Sequence, residues 1–156
     1  MPTLSMKTEI NRDVLRRLAD SRLAEFETLR TATPPHYAAA LYLAGYAVEA
    51  LLKCAICKAL NHDELPVIFH IHDLDVLLFF SGLYKEIQTD AAVWTSFRRI
   101  QATWNEKLRY TDPLYWFRLD ASGFGKWVSG HWSTGDMGHW GTSALETWRS
   151  NAPMLQ

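Results

Sequence analysis

Two cysteines, no excess of charge of either sign and no tryptophan before position 94 are the first features of this chain of 156 residues. Cys54 and Cys57 are too few for a disulfide framework, and at i, i+3 on a helix they share one face, which reads as a pair of reduced core or boundary thiols. With 16 Lys+Arg against 17 Asp+Glu the formal charge is −1, which excludes a globally basic nucleic-acid binder. At 48% hydrophobic and 21% charged the chain is no disordered polyelectrolyte either. Its length suits one domain, of a size that buries roughly 70% of the surface of the unfolded chain. The longest uncharged run, residues 31–48, holds Pro34, Pro35 and His36 and is followed by Glu49, Lys53 and Lys58. That composition predicts a buried helix rather than a membrane span. No basic-then-apolar leader with a cleavage signal opens the chain, so a cytoplasmic location is expected.

Glycine and proline are also scarce where helices are expected. Residues 8–32 contain neither, and Ile10, Val14, Leu18, Leu23, Phe26 and Leu29 recur at helical spacing. The opposite face carries Arg12, Arg16, Arg17, Arg22, Glu25, Glu27 and Arg30 and reads as solvated. Pro34 and Pro35 end this helix and open the next, because proline fits a first turn but not an interior. A second helix is predicted over residues 35–60, with Leu41, Tyr42, Gly45, Val48, Leu52 and Ile56 in an apolar stripe and Gly45 allowing close approach. Glu49 falls in or beside that stripe, with Lys53 one turn later in the favourable order. A carboxylate there needs a partner.

A loop over residues 61–69 leads to a short apolar segment, 72–83, capped by Asp73 or His72 and stopped by Gly82, with His72 otherwise expected to hydrogen-bond across the bundle. Residues 84–90 read as a connector. A periodic helix is then expected over residues 91–110, with Trp94, Phe97, Gln101, Trp104 and Leu108 in one stripe and Arg98, Asn105 and Arg109 along its margin. From Arg98 to Arg109 there are four positive charges against one negative, and from His62 to Asp90 one positive against six negative. Near-neutrality therefore hides local fields. Beyond Asp112-Pro113 six of the eight glycines crowd between Gly123 and Gly141. Helices are expected over 117–128, broken near Gly123 and Gly125, and over 144–150, with a loop at 129–141. No strand pattern or internal repeat emerges, so the fold class is all-α: an up-and-down bundle of four or five helices with a loop-rich C-terminal extension.

Three segments carry a family resemblance. The run from Tyr42 through Leu43, Ala44, Gly45, Tyr46, Ala47, Val48, Glu49, Ala50, Leu51 and Leu52 to Lys53 resembles the second-helix signature of HEPN domains, the prokaryotic nucleotide-binding helical family. His72-Asp73-Leu74-Asp75-Val76-Leu77 is similar to the family's "H-D-L-x-x-L" start of a short middle helix. Trp104 through Arg109-Tyr110 resembles its "W-x-x-x-x-R-Y" segment. The resemblance spans about residues 35–112 of a single domain, 1–156, and leaves the Trp/Gly-rich extension 113–156 unmatched.

The resemblance implies a helical bundle, often a homodimer, with a polar site between long helices, and either a metal-independent endoribonuclease of toxin and defence systems or a nucleotide- or RNA-binding module. A nucleotidyltransferase or antitoxin chain is the implied type of partner protein. Ribonuclease members place a histidine after an arginine with four to six residues between them. Here Arg98, Arg99 and Arg109 have none in that window, and Arg98 is followed, with six residues between, by Asn105. Asparagine cannot take a proton from a 2′-OH, whereas Arg98 and Arg109 can hold a phosphate through guanidinium forks and Asn105 can orient it. The ligand-binding set expected is therefore Glu49, Lys53, Arg98, Asn105, Arg109 and Tyr110, with Glu49 anchoring Arg98 or Arg109 or else pairing structurally with Lys53. Arg98, Asn105 and Arg109 are the catalytic candidates if the chain is a nuclease. A structural interaction protein without a ligand is the third reading.

Cys54, Cys57, His62, His70 and His72 are of zinc-ligating types, but a helix-borne C-x-x-C lacks the tight turn of a zinc knuckle, so neither a metal nor another cofactor is expected. Trp116, Trp127, Trp132, Trp140 and Trp148 suit packing or an oligomer interface better than a base-stacking platform, since only Arg118, Lys126 and Arg149 lie among them.

Overall fold

A computed structural model describes residues 10–111, and they form an all-α fold with no strand among them. The helices expected in the extension and its five tryptophans lie outside the described residues. Helix α1 (Arg12–Thr31) starts at Asn11, whose Oδ1 accepts from the Val14 amide at 2.9 Å. That bond satisfies one of the donors a helix start leaves open. The charged face of α1 is laced by pairs within the helix: Arg16 with Asp20, Arg22 with Glu25 and Arg30 with Glu27. Its other face buries Leu15, Ala19 and Phe26.

Helix α2 (Tyr37–Ala59) is the centre of the fold. Alanine at 40, 44, 47, 50 and 55 lets neighbours approach closely, and Leu41, Val48, Leu52 and Ile56 are buried with them. The burial extends beyond the expected stripe to Cys54 and Cys57 because α1 covers one side while α3 and α5 cover another. A helix apolar all round belongs inside a protein or a membrane. This one has the length and apolarity to cross a membrane, yet 78% of its most apolar window is covered by the rest of the chain. Burial first, and neighbouring Cys57 second, push the Cys54 thiol up to about 11, and burial also raises Cys57, as suits thiols packed in a core.

Backbone bonds tie the segment after α2 to the start of α1, from Arg12 N–H to the Asp63 carbonyl and from Leu65 N–H to the Ile10 carbonyl. A 3-10 turn (Val67–Phe69) precedes helix α3 (Leu74–Ser81). Asp73, not His72, caps α3, its Oδ1 accepting from the Asp75 and Val76 amides, and Gly82 at φ 78° ends it in the left-handed region that glycine enters freely. Leu74, Leu77 and Leu78 face the core. Residues 84–90, expected to be a connector, instead fold into a short helix α4 (Tyr84–Thr89), with Ile87 packed against the core.

Helix α5 (Ala91–Thr103) is capped by Asp90 and ends earlier than its periodicity predicts. Trp104 and Asn105 are extended, and residues Glu106–Tyr110 form a 3-10 turn instead of continuing the helix. Two competing interactions account for the break. Trp104 seats its ring against α2, and the Asn105 side chain accepts from the Lys107 amide, a local bond that competes with helix continuation.

Candidate functional site

Gly45 is the notch in α2 that receives Trp104. A Cβ at position 45 would lie 2.1 Å from Trp104 Cδ1, so only a residue without a side chain admits the ring. The indole N–H donates to the Tyr42 carbonyl at 3.0 Å, and the ring meets Tyr46 edge to face at 5.3 Å. Tyr46 in turn meets Tyr42 edge to face, their hydroxyls 3.2 Å apart. Burial first, and the Tyr42 hydroxyl second, push the Tyr46 phenol up to about 12, so it stays protonated as a hydrogen-bonding group.

One turn further along α2 sits a buried charge pair. Glu49 and Lys53 are 5% and 7% exposed, and Lys53 Nζ donates to Glu49 Oε1 at 2.5 Å. The expected arginine across the bundle is not the partner. Glu49 Oε2 instead meets His72 Nδ1 at 2.9 Å, where the chain enters α3. Both carboxylate oxygens are thus engaged, as a buried carboxylate requires. His72 is the residue absent from the set expected in the sequence. Its signal was the unpartnered Glu49 together with a histidine beside the α3 cap.

The three margin residues of α5 are separated rather than aligned, because the helix ends between Arg98 and Asn105. Arg98 is committed: Nη1 donates to Asp75 Oδ1 at 3.1 Å and the guanidinium lies 5.6 Å from the Trp94 ring centroid. Gln101 Nε2 donates to the other oxygen of Asp75 at 2.7 Å. Asn105 caps the 3-10 turn. Arg109, at the far end of that turn, is exposed and stacks 4.9 Å over the Tyr110 ring. Among the described residues it has no carboxylate partner, and Tyr110 is 77% exposed.

Neither a protein family, nor a curated protein, nor a solved structure matches the chain. Between the start of α3 and the end of α5 lies a cleft of about 490 Å³, lined by His72, Asp73, Leu74, Gln101, Trp104 and Asn105 among others. Trp104 connects the two halves of the site, with the cleft on one side and the Tyr42, Tyr46 and Arg109 cluster on the other. Among the described residues no three His, Cys, Asp or Glu side chains converge on a point that would hold a metal ion.

Proposed function

We propose that this protein is a HEPN-type helical module that binds a nucleotide or RNA phosphate through Arg109 and Tyr110, works as a homodimer in the cytoplasm, and acts with a partner protein. One observation carries the reading. The three segments that resemble the family are far apart in sequence, yet their own residues make contacts between elements: His72 to Glu49, and Trp104 to Gly45, Tyr42 and Tyr46. Beside these contacts, Arg109 offers an exposed guanidinium fork steadied against the Tyr110 ring, a geometry that holds a phosphate. Glu49 and Lys53 neutralise one another inside the fold and support the site from behind.

The decisive experiment is a panel of nucleotides and short single-stranded RNAs against wild type, Arg109→Ala and Arg98→Ala. Loss of a charge-assisted bond predicts binding about tenfold or more weaker in Arg109→Ala. Arg98→Ala is expected to bind within about twofold of wild type, since Asp75 already occupies its guanidinium and an exposed pair of this kind contributes little. Equal binding by all three proteins would remove Arg109 from the site. Light scattering on the same samples is expected to give twice the 17.9 kDa of one chain.

The second reading, an endoribonuclease with a diverged site, has His72 in its favour. A carboxylate on Nδ1 fixes an imidazole in one orientation, as in catalytic dyads. Against it stand Asp73 and Glu106 in the same cleft, whose charge repels a scissile phosphate. RNA cut by wild type and left intact by Arg109→Ala would favour the nuclease.

A further inference from the structure

Two side-chain amides face the cleft with their orientations already decided. Gln101 must turn Nε2 toward Asp75, because a carboxylate only accepts, and this leaves Oε1 as an acceptor. Asn105 must turn Oδ1 toward the Lys107 amide, because a backbone N–H only donates, and this leaves Nδ2 as a donor. The cleft thus presents one fixed acceptor and one fixed donor, four residues apart where α5 gives way to the 3-10 turn.

We propose that the cleft between α3 and the end of α5 is an adenine pocket read by Gln101 and Asn105. A ligand edge complementary to them carries a donor beside an acceptor. Adenine offers that pair on both of its accessible edges, its 6-amino group lying next to N7 on one and N1 on the other, and Asn and Gln are the side chains that read it. Guanine carries two acceptors on its N7 edge, and although its O6/N1–H edge and the amino/N3 edge of cytosine hold the same pair, adenine presents it on both of its edges. Ile71, Leu74 and Trp104 supply apolar wall for the faces of a ring, and about 490 Å³ falls within the range of small-molecule sites. Asp73 and Glu106 make the interior unfavourable for a phosphate, so the base lies inside and the phosphates outside. The pocket rests on the reading of the protein as a nucleotide binder and assigns the base that Arg109 leaves open.

The test uses nucleosides, which carry no phosphate, titrated calorimetrically into the full chain. Adenosine is expected to bind, and purine riboside, identical but for the missing 6-amino group, to bind about tenfold more weakly. Asn105→Asp keeps the acceptor that caps Lys107 and removes the Nδ2 donor. It is expected to lose adenosine by a similar factor with an unchanged melting temperature. Equal affinity for adenosine and purine riboside, or undiminished adenosine binding by Asn105→Asp, would overturn the pocket. Nucleotides or RNA held through Arg109 with no response to adenosine would also overturn it while leaving the proposed function standing. If neither nucleosides, nucleotides nor RNA bind, both fall.

Discussion

Glu49→Ala is expected to cost about 3–5 kcal/mol of folding stability, the range for breaking a buried ion pair by removing one partner. The cause is what remains rather than what is lost. Lys53 Nζ, on a side chain only 9% exposed, would lose the carboxylate it is paired with, and His72 would lose the group that holds its ring. Glu49→Gln should recover little, since a neutral amide restores a hydrogen bond but not the charge. The double replacement Glu49→Leu with Lys53→Met should recover most of the loss, because apolar side chains of similar volume remove both charges together. Urea denaturation at neutral pH reads all three. A cost below about 1 kcal/mol for Glu49→Ala would mean that the ammonium escapes to water and that the pair is not structurally committed.

The second large effect is expected at Gly45. A methyl group there meets Trp104 Cδ1, Cγ and Nε1 at 2.1–2.3 Å, and an indole ring cannot yield a few tenths of an ångström as a flexible chain end can. Gly45→Ala must therefore expel the ring, exposing its surface and breaking the bond to the Tyr42 carbonyl. The expected loss is about 3 kcal/mol, at the upper end for overpacking. Trp104→Ala removes the same contacts by leaving a cavity, at about 3–5 kcal/mol. Once the ring is gone the Gly45 methyl meets open space, so the double variant should cost far less than the sum of the two. Additive losses in thermal or urea denaturation would show that Gly45 and Trp104 do not share one contact.

Much of this fold was legible because local chemistry decided it. The glycine-free, proline-free run of α1, the double proline after it, the Asp73 cap and the Gly82 stop each act within a few residues. Glu49 was legible as a group in need of a partner. The partner itself was not, because His72 lies 23 residues away and only the packing of α3 on α2 brings it near. The end of α5 was misread for a related reason. Its apolar spacing continues through Trp104 to Leu108, and the contact that ends the helix is made to Tyr42, 62 residues earlier. The Arg98, Asn105 and Arg109 row assumed an unbroken helix and dissolved with it. Helix α4 has six residues, too few to establish a period.

The unequal sequence separation of these contacts also orders the assembly of the fold. Helices α1 and α2 are joined by residues 32–36 and pack along their length, so their pairing closes a short loop and proceeds early. Trp104 must return across more than half of the described chain to reach its notch, which makes that closure late. Native-state hydrogen exchange would read the same order in reverse, with amides of α5 and the following turn opening before those of α2. Among the described residues, a cleft whose walls include Trp104, Gln101 and Asn105 is then the last part to form, and a ligand seated there would fasten the least secure joint between them.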